Sequence, residues 1–253
     1  MEDSLETLIE KFNTREKSAV ALFGGDGTLV GEWRKHHVRK GGKALLPVRN
    51  YGLCPKHLEF YIKFFSCKES AEGEEASDLS VKQFLFPVLR GEFKNQGLDN
   101  YLDALSELTV TSADPTQAVR FTVRINGKPV VENSIANGVI FATRLGSTGY
   151  FKSVARTIFI EGVGIGFICP TYSLPNIVAR PQDRIEFELL RKAPLVLTAD
   201  KLKQEIPDAV AGFKLIASSA CDNVSVLGYD HFMCPECRKN RNSTLVNDSY
   251  CIV

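Results

Sequence analysis

Two hydrophobic rhythms divide this chain. Up to about residue 100, apolar residues recur at helical intervals or in short unbroken runs. Beyond about residue 106 they alternate. Leu5, Leu8, Ile9 and Phe12 define a short amphipathic helix over 4–12. Residues 18–23, with the run Ala19-Val20-Ala21-Leu22-Phe23, predict a strand buried on both faces of a parallel sheet. Leu29, Val30, Trp33 and His37 then recur at three and four, which predicts a helix over about 28–39, stopped by Lys40-Gly41-Gly42. Ala44–Val48 is a second strand, ending in the turn Arg49-Asn50-Tyr51-Gly52. Leu58, Tyr61, Ile62 and Phe65 mark a third helix. This βαβα order implies a parallel sheet.

The pattern then changes. Lys68–Ser77 holds Glu69, Glu72, Glu74 and Glu75 and reads as a solvated loop. Phe84–Leu89 is apolar again, and Tyr101, Leu102 and Leu105 predict a short helix. Glu107–Thr111 is a β-branched strand, and Val119, Phe121, Val123 and Ile125 alternate. Asn126-Gly127 before Val130-Val131 is a favoured hairpin turn. Further strands are expected at 138–143, 157–160, 164–169, 184–190, 195–199, 212–217 and 224–227. The expected fold is a Rossmann-like α/β domain, apparently truncated at its start, followed by a β-sandwich-like domain. The divisions are 1–98, 99–228 and a C-terminal helix or tail over 229–253.

Composition narrows the class. The 253 residues are 44% hydrophobic and 24% charged, with a formal net charge of +1, as in an ordinary globular protein. Near-neutrality argues for neither a nucleic-acid nor a membrane partner. Met1–Glu16 does not read as a signal peptide, and no apolar run is long enough to span a bilayer. Seven cysteines without a secretory signal imply free thiols in a reducing, cytoplasmic setting.

Candidate chemistry sits at strand ends. Gly24-Gly25-Asp26-Gly27-Thr28 joins the first strand to a helix. Glycines let a ligand approach the backbone, and a helix start offers unpaired N–H groups to phosphate. Asp26 in that turn suits a role as proton acceptor from an attacking hydroxyl, or as a metal ligand; it would equally serve as a helix cap. Gly146-Ser147-Thr148-Gly149-Tyr150 repeats the arrangement, with two hydroxyls and a phenol that can meet ribose, phosphate or base. A plain Ser/Thr turn capping a helix at 149–156 has the same sequence. Ser106-Glu107 opens the β half, either as a ribose-binding carboxylate or as a surface strand edge.

These two glycine turns, in this order and at this spacing, resemble the NAD kinase family. The likeness runs from about residue 18 to 232. It takes in Leu46–Gly52, Ala104–Val110, Asn137-Gly138-Val139-Ile140, Ile168–Leu174, Ala179-Arg180-Pro181 and Leu197-Thr198-Ala199-Asp200. The resemblance implies a two-domain kinase with its ligand cleft between the domains, assembling as a homo-oligomer. It would transfer the terminal phosphoryl group of ATP, with Mg²⁺, to the 2′-hydroxyl of the adenosine ribose of NAD. Carried over by position, Asp26 would activate that hydroxyl. Gly24, Gly25, Gly27, Thr28, Asn50 and Gly52 would hold nucleotide phosphates. Ser106, Glu107, Asn137, Thr143, Ser147, Thr148 and Tyr150 would bind NAD. Alternatives are a nucleotide-binding relative without turnover and a kinase for another hydroxyl acceptor such as a lipid, since lipid kinases share the first turn.

Five positions depart from the family pattern. Ser106 stands where Asn is usual, Asn137 where Asp is usual, and Lys201 where Gly is usual. Thr143-Arg144-Leu145 replaces Thr-Pro-Thr, and Arg144 suits an additional phosphate. Gly162-Val163-Gly164-Ile165-Gly166 leads into a strand, so it reads as a bend and not a dinucleotide loop. Cys234-Pro235-Glu236-Cys237 has the spacing of half a zinc site, which would need two more ligands from among Cys221, His231 and Cys251; two exposed thiols on a terminal helix are the plainer reading. Without a second Cys pair at metal spacing, no residue is assigned as a metal ligand. His36-His37 reads as a wet helix face.

Overall fold

The computed structural model describes residues 4–37, 42–69, 81–95 and 97–237. The Lys40-Gly41 stop, the acidic loop beyond Glu69, Cys251 and the tail Arg238–Val253 lie outside the described residues. The chain forms two compact units, Met1–Leu85 with Val224–Val253, and Phe86–Asn223.

In the first unit, α1 (Leu5–Arg15) precedes β1 (Ala19–Phe23), α2 (Asp26–His37), β2 (Ala44–Val48) and α3 (Pro55–Glu69). β1 and β2 pair in parallel, as their apolar runs predicted. Leu8, Ile9, Ala21, Leu46, Val48, Tyr61, Phe64 and Phe65 form the core, with Phe12 edge-on to Phe65. The side chain of Asn13 donates to the Ala21 carbonyl at 2.8 Å and accepts from the Ala21 N–H at 2.7 Å, bonding β1 as a neighbouring strand would. α2 begins at Asp26, two residues before its expected start, so most of the first glycine turn is already helix. α3 continues through Lys68 and Glu69, which the sequence assigned to a loop.

β3 (Gln83–Asn95) carries the chain into the second unit and pairs antiparallel with β4 (Leu98–Ala104). The short helix expected around Tyr101 is this strand. Arg90 faces Asp103 across the ladder, bonding it at 2.7 and 2.8 Å while its guanidinium stacks over Tyr101. Such cross-strand pairs stabilise a sheet, and the apolar spacing here suits either element. That ladder also moves the domain boundary to residue 85/86 from the expected 98/99.

β5 (Glu107–Ser112), β6 (Val119–Ile125), β7 (Lys128–Ala136), β8 (Gly138–Ala142), α4 (Tyr150–Ala155), β9 (Val163–Ile168), β10 (Ile177–Ala179), β11 (Ile185–Leu189), β12 (Ala193–Ala199) and β13 (Leu202–Ala209) follow. One sheet runs β10-β9-β8-β5-β12-β13; β14 (Lys214–Leu227) joins β11, β6 and β7 in another. Inward residues of both sheets share one core, where Phe121 stacks on Phe167 and Phe187. This is the expected sandwich. The expected strand at 157–160 is irregular chain. There Phe159 packs edge-on against Phe151 of α4, so its apolar character serves helix docking. A Cβ on Gly164 would lie 2.3 Å from Phe159 and 2.7 Å from Phe151, so the glycines of β9 admit these rings.

The chain returns to the first unit at Val224. Val226 of β14 pairs in parallel with Leu45, and α5 (Tyr229–Phe232) follows. The sequence assigned 224–228 to the β domain. Only the parallel partner, β2, could show that these residues close the first sheet.

Candidate functional site

In the first unit the glycine turn sits where β1 ends. The Gly24 N–H donates to the Val48 carbonyl at 2.8 Å, tying the ends of β1 and β2 together. A Cβ at Gly24 would lie 2.2 Å from Thr28 Oγ1, so only glycine fits there. The Gly25 carbonyl accepts from the Thr28 and Leu29 N–H groups, which starts α2. Asp26 lies in the first helical turn, where a carboxylate complements the helix dipole. Its side chain is 62% exposed, yet Oδ1 accepts from Arg49 Nη2 at 3.2 Å.

Arg49 was not among the residues expected to act. It is buried, its Nε donates to the Phe232 carbonyl at 3.3 Å, and its guanidinium stacks 3.5 Å from the centre of the Phe232 ring. Its position just past β2 was the available signal, because strand carboxyl ends in α/β sheets are where ligands meet side chains. Asn50 and Tyr51 beside it are exposed, and Gly52 has φ +74°, a left-handed conformation that suits glycine.

In the second unit, four sequence-predicted residues meet around Ser106-Glu107. The Ser106 hydroxyl donates to Glu107 Oε2. Thr143 Oγ1 donates to the Leu105 carbonyl at 2.6 Å and accepts from the Gly146 N–H. Ser147 donates its hydroxyl to the Arg144 carbonyl at 2.8 Å. Thr143 and Ser147 are both buried, so they build the turn. A Cβ on Gly146 would lie 2.2 Å from the Ser106 carbonyl oxygen and 3.0 Å from Glu107 Oε2. The second glycine turn therefore packs directly on the carboxylate.

Asp200 was noted in the sequence only as a landmark. Its Oδ1 accepts from the Ser106 and Glu107 N–H groups at 2.8 and 3.0 Å, and Oδ2 from the Leu105 N–H at 2.8 Å. It holds the backbone that presents Glu107. Burial raises the Glu107 carboxyl above the usual carboxylate range; the Ser106 hydroxyl opposes this, and the Asp200 charge adds to it.

Tyr150 is exposed at the start of α4, and Thr148 is half-buried. Arg144 lies over the ring of Phe86. Asn137 is not part of this group. Gly138 pairs with Thr111 and Ala142 with Glu107, so Asn137 stands at the far end of β8, roughly 16 Å along the strand.

Solved structures share this fold. The structure of yeast NADH kinase complexed with NADH superposes with a TM-score of 0.71 at 17% identity, covering 94% of this chain and 69% of that one. An NAD kinase from Archaeoglobus fulgidus in complex with ATP gives 0.61 at 17% identity, covering 87% and 83%. At sequence level the chain is 31% identical over 181 residues to the NAD kinase of Limosilactobacillus reuteri, covering 69% of this chain and 60% of that one. It is 28% identical over 227 residues to the bifunctional NADP phosphatase/NAD kinase of Methanococcus maripaludis, covering 87% of this chain. The chain spans 38% of that relative's length. No family model matches. In sequence the chain is thus similar to curated NAD kinases over most of its length, and it spans between about a third and two thirds of theirs.

Proposed function

We propose that this chain phosphorylates NAD, moving the terminal phosphoryl group of ATP onto the 2′-hydroxyl of the adenosine ribose to give NADP and ADP. The observation that carries the reading is Asp26, an exposed carboxylate in a glycine turn at the start of α2, steadied by the buried Arg49. Phosphoryl transfer asks for positioning and charge neutralisation more than for covalent chemistry. The ribose oxygen attacks the γ-phosphorus, the bond to ADP breaks, and the hydroxyl proton passes to Asp26. The first turn of α2 directs N–H groups at phosphate, Gly24, Gly25 and Gly27 keep side chains out of the way, and Thr28 adds its hydroxyl to the cradle. A single exposed carboxylate suits Mg²⁺, which keeps most of its waters and shares substrate phosphates.

In the second unit Glu107 accepts ribose hydroxyls, and Ser106 orients it. Thr148 and Tyr150 offer a hydroxyl and a phenol to the adenosine half, and Thr143 and Ser147 shape their turn. Asn50, Gly52 and Asn137 complete the assignment, on the family resemblance alone. That resemblance also supports a homo-oligomer, which light scattering measures, and a cytoplasmic location, which fractionation tests. Among the described residues no helix is long and apolar enough to cross a membrane.

Incubation with Mg-ATP and NAD, followed by an enzymatic assay for NADP, tests the reaction. Product is expected, and Asp26→Asn should lower kcat about 10²–10⁴-fold with little change in NAD affinity. Wild type that binds NAD but yields no NADP would mean a nucleotide-binding relative without turnover. Full activity in Asp26→Asn would remove Asp26 from the chemistry.

A further inference from the structure

The first unit holds a second cluster that phosphoryl transfer does not use. Cys54, His57, Cys234 and Cys237 each offer one ligand atom, and all four atoms lie within 4.8 Å of one another. Cys54, His57 and Cys237 are buried. Cys54 Sγ lies 3.3 Å from His57 Nδ1, and Cys237 Sγ lies 3.5 Å from the same nitrogen. Zinc–sulfur bonds of about 2.3 Å and zinc–nitrogen bonds of about 2.0–2.1 Å in a tetrahedron put sulfur and nitrogen about 3.6 Å apart. The observed contacts are therefore close to the edges of such a tetrahedron.

The surroundings suit thiolates. The Cys54 carbonyl accepts from the His57 and Leu58 N–H groups, so Cys54 caps α3, where the helix dipole favours negative charge. The Cys54 N–H donates to Cys237 Sγ at 3.3 Å. Free cysteines often pack singly as small apolar residues. Three thiols and an imidazole nitrogen gathered within 4.8 Å of one another are better explained by a shared ligand.

We propose that Cys54, His57, Cys234 and Cys237 form a structural Cys₃His zinc site that clips the returning C-terminal segment to the start of α3. Three sulfurs and one nitrogen select zinc over magnesium or calcium, and four protein ligands leave no open position for catalysis. The clip has a consequence for Asp26. Cys234 follows α5 by two residues, and Phe232 of α5 supplies both the carbonyl and the ring that hold Arg49 against Asp26. Zinc would thus act as a positioning element for that pair.

The test measures metal directly and does not depend on the kinase reading. Protein purified without chelators should hold about one zinc per chain by mass spectrometry, released in proportion as a mercurial titrates the thiols. Cobalt exchanged into the full chain should show thiolate charge-transfer and tetrahedral visible bands. Cys237→Ser and Cys234→Ser should each bind zinc at least about tenfold more weakly and melt about 10 °C or more lower. Cys169→Ser, at an exposed cysteine outside the cluster, should keep full metal. Wild type with less than about a tenth of an equivalent of zinc and no tetrahedral cobalt spectrum would overturn the proposal, even if both serine variants fail to fold. So would a Cys54–Cys237 disulfide in reduced, metal-supplemented protein.

Discussion

Replacing Asp200 tests whether the backbone under Glu107 is held by one side chain. Its carboxylate accepts three consecutive backbone N–H groups, at 2.8, 2.8 and 3.0 Å. In Asp200→Asn the amide oxygen can still serve Ser106 and Glu107, but the NH₂ then faces the Leu105 N–H, donor against donor. Losing that charge-assisted bond and stranding a buried donor costs about 2 kcal/mol. The two surviving bonds fall from charge-assisted to neutral, which adds about 1 kcal/mol. The total is about 3 kcal/mol, or a fall in Tm of about 6–12 °C in a chain of this size. Asp200 has φ +51°, a left-handed conformation that Asn tolerates and Ala does not. Asp200→Ala should therefore lose about 1 kcal/mol more than Asp200→Asn. Urea denaturation with the slope held equal reads these differences. If both variants fall within about 0.5 kcal/mol of wild type, the three bonds do not hold that backbone.

Three further outcomes are expected. Gly146→Ala places a Cβ 2.2 Å from the Ser106 carbonyl oxygen, a backbone atom that cannot swing aside; the variant should lose about 1–3 kcal/mol in stability and weaken NAD binding by isothermal titration. Arg49→Ala gives up the Phe232 stack and carbonyl bond and should lose about 1–3 kcal/mol; Arg49→Lys should restore little, since an ammonium lacks the planar fork, and equal melting of Lys and wild-type proteins would refute this. Because the folded-state pKa of Glu107 is raised, its contribution to stability is fully present below the ordinary carboxylate range and is lost as pH rises through the raised value. Glu107→Gln should therefore melt above wild type near pH 7 and converge with it below about pH 4, while weakening NAD binding; a constant gap across pH would exclude the ionisation as its cause.

Helices and strands with one strong rhythm were legible. β1 and β2 read as parallel strands because continuous apolar runs are buried on both faces, and β6, β11 and β12 alternate because one face meets the shared core. The rhythm failed where two elements share a spacing. Tyr101 and Leu102 suit a helix or a strand, and the partner strand carrying Arg90 decides which. It failed again at 157–160, where apolar residues pack under a helix without joining a ladder. Among the candidate site residues, Asp26 and the two glycine turns were singled out through local strand–turn–helix chemistry, and Glu107 only through the family resemblance. Arg49 and Asp200 were missed as participants because each works through a backbone or side chain that only the fold brings near.

The Gly24–Thr28 and Gly146–Tyr150 turns, and with them the family resemblance, could be read from residue types at short range. Turn and capping demands act over a few residues, so the sequence alone states them, although the atoms that force glycine at Gly146 belong to the distant Ser106 and Glu107. The first unit's closing strand, the partners of Arg49 and Asp200, and the meeting of Cys54-x-x-His57 with Cys234-x-x-Cys237 could not be read that way. His57 and Cys237 stand 180 residues apart, and no periodicity links them. Only the return of β14 to β2 carries that second pair onto the cap of α3. Local chemistry is written along the chain, whereas a ligand set or a buried ion pair depends on which distant segments the core brings together.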